Sequence, residues 1–145
     1  MSRITKDAYY LNIAEQVLER STCLRRRYGA VIVNNDEIVS TGYNGSARGD
    51  VNCCDIGVCD RELNNVPKGE RYEMCKAIHA EQNAIISASR KEMLGGTIYI
   101  VGKEADGSYS DGHPCLICDR MLRNAGIKRV VFINKGKDDE IVYEQ

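Results

Sequence analysis

Two short motifs carry the residue types of a metal centre that does chemistry. His79-Ala80-Glu81 offers an imidazole and a carboxylate close together in the chain, and Pro114-Cys115-Leu116-Ile117-Cys118 offers a pair of thiols. One imidazole and two thiolates give three ligands to a tetrahedral zinc and leave the fourth position for water, the arrangement of a catalytic rather than a structural site. Zinc lowers the pKa of bound water to about 7, so a hydroxide nucleophile is available at neutral pH. Glu81, beside the ligand His79, is then the group to take that water's proton and hand it to a substrate. A purely structural zinc has no use for a carboxylate next to an open corner.

The spacing also fits the elements that must hold these groups. Cys115 and Cys118 fall on one face of a helix, and both motifs sit where helices are expected to begin, so free amide groups and the helix dipole favour thiolates there. Taken alone, C-x-x-C also suits a redox pair or half of a structural zinc knot. The redox reading wants the motif soon after the first strand of a thioredoxin-like unit, which this chain does not supply. His113, next to Pro114, is read as a loop histidine lining the pocket rather than as a fourth ligand.

Around these motifs the periodicity predicts alternating helices and strands. Apolar residues recur at helical spacing over 7–20 through Ala8, Leu11, Ala14, Val17 and Leu18. The β-branched runs 30–33 and 38–41 flank Asn34-Asn35-Asp36, a hairpin composition. Residues 42–76 show no period and hold four of the seven cysteines, a long stretch that something other than an apolar core must order. A buried helix is expected over 78–90, closed by Gly95-Gly96, then a strand over 97–101 and a polar loop over 102–113. Pro114 is expected at the first position of a further helix that ends at Gly126, followed by a strand over 129–133. The few residues before Ile141-Val142-Tyr143 are too short for a parallel crossover, so a fifth strand should return antiparallel. The pattern implies an α/β fold, a three-layer α/β/α sandwich around a mixed sheet of four to five strands, in a single domain over 1–145.

Composition narrows the partners. The 145 residues carry 20 basic and 21 acidic side chains for a net charge of -1, so no electrostatic grip on a nucleic acid is expected and a small ligand is the default. No apolar run suits a signal peptide or a membrane span, which reads as a cytoplasmic protein with no membrane partner. Seven cysteines in a reducing compartment point to metal ligands or inert thiols rather than disulfides.

H-x-E paired with P-C-x-x-C is the signature of the zinc deaminases. From about residue 7 to 133 the chain resembles the cytidine and deoxycytidylate deaminase superfamily. Its segments Thr41-Gly42-Tyr43-Asn44-Gly45-Ser46-Ala47-Arg48-Gly49 and Val51-Asn52-Cys53-Cys54-Asp55 look most like those of bacterial and phage deoxycytidylate deaminases. The resemblance implies a cytidine deaminase-like fold and hydrolysis of dCMP to dUMP and ammonia, which supplies dUMP for thymidylate synthesis. His79, Cys115 and Cys118 would hold Zn2+, Glu81 would shuttle protons, Asn44 would contact the sugar hydroxyl and the Ala80 amide the base carbonyl. It also implies a homo-oligomer, a hexamer or a dimer, and control by dCTP and dTTP, with Mg2+ accompanying the triphosphate. Two departures stand out: the link over 102–113 is longer than the family's, and the C-terminal segment has room only for an antiparallel strand.

Other residues support more than one reading. Of Cys23, Cys53, Cys54, Cys59 and Cys75, related phage sequences with a similar Cys-Cys-Asp pattern suggest that Cys23, Cys59, Cys75 and one of the Cys53/Cys54 pair would hold a second, structural zinc; the alternative is that several are buried thiols. Arg25, Arg26, Arg27 and Arg48 either meet a substrate phosphate or form a solvated charge run, with Arg26 and Arg48 the preferred phosphate contacts. Tyr43 either packs or touches the ligand. The competing functions are deamination of cytidine, dCTP or transfer-RNA adenosine, and a zinc-stabilised binding module without turnover.

Overall fold

The computed structural model describes residues 2–67, 75–134 and 140–144. Helix α1 (Lys6–Leu18) starts on Thr5, whose hydroxyl accepts the Ala8 N–H at 3.1 Å, and Asp7 adds a negative charge to the positive end of the helix. Strands β1 (Arg26–Asn34) and β2 (Glu37–Tyr43) form the expected hairpin. Asn35 and Asp36 take φ of 52° and 60°, the left-handed pair that a two-residue hairpin turn demands.

The chain then makes the two-residue strand β3 (Gly45–Ser46), two single-turn helices α2 (Cys53–Ile56) and α3 (Asp60–Leu63), and β4 (Ala77–Ile78), which pairs with β3. Helix α4 (Ala80–Ile86) is shorter than the predicted 78–90. The reason is Ser89, which accepts the Glu92 N–H at 3.2 Å and starts a separate helix, α5 (Arg90–Met93), while Glu92 reaches back to the Ser89 N–H. Strand β5 (Thr97–Glu104) runs further than the predicted 97–101, and the expected loop after it folds back as β6 (Tyr109–Ser110). Helix α6 (Leu116–Asn124) begins two residues after Pro114, because Cys115 takes the cap position that the sequence assigned within the helix. Strands β7 (Arg129–Ile133) and β8 (Glu140–Glu144) complete the order.

The sheet runs β2-β1-β5-β7-β8, with β6 on the end of β5. Among the described strands only β5 and β7 pair in parallel; β8 returns antiparallel, as the short connection requires. Strand alternation builds both cores. Ile98 and Ile100 of β5 join Ala30, Ile32, Val130 and Phe132 beneath α4 and α6, while Tyr99 and Val101 join Val31, Val33, Val131 and Ile133 beneath α1. The result is the expected three layers.

Two glycines set the helix heights. A Cβ at Gly29 would lie 2.2 Å from the Ala14 carbonyl oxygen in α1, and one at Gly42 would lie 2.3 Å from the Ala80 oxygen in α4. Gly42 therefore fixes how deeply the helix carrying His79 and Glu81 sits on the sheet. No described helix is long and apolar enough to cross a membrane.

Candidate active site

His79 caps α4 and Cys115 caps α6, so both motifs lie at helix starts that face each other above the same sheet face. Each cap is held locally. Gln82 accepts the His79 N–H at 2.9 Å, and the Cys115 sulfur accepts the Cys118 N–H at 3.4 Å. The latter bond fixes the sulfur against the first turn of α6.

His79 Nδ1 lies 3.7 Å from Cys115 Sγ and 3.4 Å from Cys118 Sγ. Zinc bonds of about 2.3 Å to sulfur and about 2.0 Å to nitrogen, opened to the tetrahedral angle, place such donors roughly 3.5 Å apart. The three ligand atoms lie within 4.8 Å of one another and form the only such group of three or more among the described residues. Burial and the nearby Glu81 and Cys115 charges push the Cys118 thiol up, an unfavourable setting for a lone thiolate that a divalent cation reverses. Donor set, spacing and charge all fit zinc.

Glu81 stands in the first turn of α4 and is only 6% exposed. Burial raises its pKa, opposed by its own backbone amide, the His79 charge and a hydrogen bond with the Cys118 thiol. A carboxyl whose pKa burial raises, set beside the thiols, is suited to carrying protons. Ala80, wholly buried, is the first residue of α4, so its N–H has no carbonyl behind it in the helix.

Asn44 is buried, and its amide is largely committed to the protein. Its oxygen accepts from Tyr28 N at 2.8 Å and from Ser21 Oγ at 2.6 Å, and its nitrogen donates to the Arg26 carbonyl at 2.9 Å. Only one N–H is left for a ligand. Tyr43 is part-exposed at 38%, and its carbonyl takes the Asn83 amide at 2.8 Å, tying β2 to α4.

The arginines are paired: Arg25 with Glu62 at 3.1 Å, Arg26 with Glu104 at 3.0 Å and Arg27 with Glu19 at 3.0 Å. Arg25 and Arg26 line a cleft of about 540 Å³ together with Leu24, Glu62, Glu104, Ala105 and Asp106. Arg48 is exposed on the turn before Gly49.

His113 is not one of the gathered ligands; its ring stacks on Tyr143 and stands at a steep angle to Phe132. Cys23, Cys53, Cys54, Cys59 and Cys75 form no disulfide among the described residues, which do not gather them into a second group of that kind.

Three further contributors lie outside the ligand and proton-carrying residues of the two motifs. Gln82 was legible as the third helical residue of a capping box with an unusual histidine cap. Tyr28 gives its N–H to the Asn44 oxygen, and Tyr143 reaches the start of α6; both depend on strand register, which no local signal reveals.

Residues 4–134 match the family described as the cytidine and deoxycytidylate deaminase zinc-binding region. A deoxycytidylate deaminase of Mycobacterium phage D29 is 35% identical over 137 residues, covering 91% of this chain and 97% of the phage protein. The deoxycytidylate deaminase of Schizosaccharomyces pombe is 35% identical over 126 residues, 87% of this chain but 36% of the yeast protein, so the chain spans about a third of that relative. The dCMP deaminase of cyanophage S-TIM5, solved in complex with dCMP and dUMP, superposes with a TM-score of 0.66 at 27% identity, covering 91% of this chain and 85% of that one. The matched span contains both motifs and strands β1 to β7, and the chain belongs to the cytidine and deoxycytidylate deaminase family of zinc-binding proteins.

Proposed function

We propose that this chain, acting as a single domain, hydrolyses dCMP to dUMP and ammonia. The observation that carries the reading is the buried Glu81 carboxyl beside the gathered donors of His79, Cys115 and Cys118. The dCMP deaminase names of its relatives supply the substrate.

Zinc held by these three side chains supplies a Lewis acid that makes water nucleophilic at neutral pH. Glu81 takes a proton from the attacking water and delivers it to the ring nitrogen N3, as the water oxygen bonds to the amino-bearing carbon C4. Glu81 then relays the remaining hydroxyl proton to the amino nitrogen. The C–N bond breaks, ammonia departs, and the new oxygen becomes the uracil carbonyl. Water is thereby consumed in full, with no redox change. The Ala80 N–H would hold the base carbonyl, and the spare Asn44 N–H the sugar hydroxyl. Tyr43 would border the sugar, and Arg26 and Arg48 would meet the phosphate, for which Arg26 must share its guanidinium with Glu104.

The reading extends to a cytoplasmic homo-oligomer controlled by dCTP with Mg2+ and by dTTP, and to a second zinc on the remaining cysteines. What supports these is the likeness to deoxycytidylate deaminases in the segments 41–49 and 51–55. The deciding experiment measures ammonia release by zinc-loaded protein from dCMP, CMP, dCTP, deoxycytidine and transfer RNA, with and without dCTP and dTTP. dCMP is expected to be the best substrate. Faster turnover of any other compound would overturn the assignment.

A further inference from the structure

We propose that His113 and Tyr143 are positioning residues for the metal ligand Cys115, which makes the last strand of the sheet part of the metal centre. The inference rests on the reading that His79, Cys115 and Cys118 hold zinc.

Cys115 follows Pro114, which has no N–H with which to anchor the turn. The turn is held from its other side. His113 Nδ1 lies 2.8 Å from the Pro114 carbonyl oxygen, and since a carbonyl only accepts, Nδ1 bears the hydrogen and donates. The His113 backbone N–H is in turn fixed by Asp111 at 2.9 Å, and the Gly112 N–H by the Ile133 carbonyl of β7 at 3.0 Å.

The imidazole itself is clamped by aromatic rings. It stacks on Tyr143 with centroids 5.4 Å apart and planes 24° from parallel, and stands edge-on to Phe132 at 5.3 Å. Tyr143 belongs to β8 and sits in register with Val130 of β7. Its hydroxyl donates to Asp119 Oδ1 at 3.3 Å, and the Asp119 N–H donates to the Cys115 carbonyl at 2.8 Å. One side chain from β8 therefore touches the residues on both flanks of Cys115, upstream through His113 and downstream through Asp119. Groups outside the ligand set that orient a ligand in this way typically govern metal affinity by 10–100-fold.

The test uses the full chain stripped of metal and titrated with zinc against a chromophoric chelator, with Cys118→Ala as the blank for any zinc bound elsewhere. His113→Ala and Tyr143→Ala are each expected to weaken zinc binding about tenfold. Tyr143→Phe, which keeps the stack and loses the bond to Asp119, should fall between them and the wild type. The melting temperature of the metal-free protein is read in parallel, because a residue that only packs lowers that temperature and leaves zinc affinity alone. Zinc affinity within twofold of wild type in His113→Ala would overturn the proposal, and this variant decides even if Tyr143→Ala does not fold, since His113 is exposed. Failure of the wild type to take up zinc at all would remove the metal centre itself, and this inference with it.

Discussion

The chain holds cysteines in two settings that behave differently. Cys115 and Cys118 stand at the start of a nine-residue helix, α6, whose Leu122 is buried against the sheet, and their sulfurs come together with His79. Cys53 lies in α2 and Cys54 beside it, a helix of four residues with no buried side chain, and Cys59 precedes another of four residues. Val51, Ile56, Val58 and Leu63 are exposed along the same stretch. A ligand set converges when the elements bearing it are fixed by a core that exists without the metal. The segment around α2 and α3 has little such core of its own.

The widest separation between the two settings is expected from Cys118→Ala. It should remove zinc from the centre and with it all measurable deamination, read by metal analysis and ammonia release. Retention of zinc there would move the ligands elsewhere. Glu81→Gln should keep both fold and zinc but lose at least about 100-fold in turnover, the usual scale of acid-base assistance. Near-normal rates would relieve Glu81 of its role.

Gly42→Ala probes the dependence of the centre on the sheet. The added methyl meets α4 backbone at 2.3 Å, and overpacking of this kind costs about 1–3 kcal/mol. Thermal melts should fall accordingly and zinc affinity should drop in step; a variant as stable as wild type would show that α4 can lift freely.

Replacing Cys23, Cys59 and Cys75 together by Ser sharpens the comparison from the other side. If a second zinc orders that region, zinc per chain falls by one while the centre at Cys115 keeps its metal. An unchanged count would leave those residues as plain thiols.

The smallest effect belongs to the face opposite the site. Asp7 accepts from Tyr99 at 2.6 Å and from Arg129 at 3.0 Å, and although burial alone would raise its pKa, the bonds from Arg129 and Tyr99 and the Arg129 charge hold it below the ordinary 3.8. A carboxylate with a depressed folded pKa stabilises the fold in full above its unfolded value, and this contribution is lost as pH falls through the lower folded value. Asp7→Asn should therefore flatten the loss of stability below about pH 4 and leave zinc binding unchanged. An acid limb identical to wild type would deny Asp7 that part.

Much of the fold was legible because its signals are local. The Asn35-Asp36 turn, the alternation of Ile98, Tyr99, Ile100 and Val101, and Gly126 at the end of α6 each follow from one stretch of chain. The break between α4 and α5 was missed because helix-compatible composition on both sides hid a serine cap. The β6 strand was missed because two residues carry no period.

By itself the sequence determined the donor set. Residue type and short spacing decide which side chains can bind zinc and which can carry a proton, and those are properties of the covalent chain. Tertiary structure alone decided that His79 and the two thiols meet within 4 Å, that Asn44 keeps one N–H to give, that Arg26 faces Glu104 and that Tyr143 braces the turn at Cys115. These contacts join residues far apart in sequence. Only the register of β1, β5, β7 and β8 and the depth at which the helices settle on them bring such partners within bonding distance.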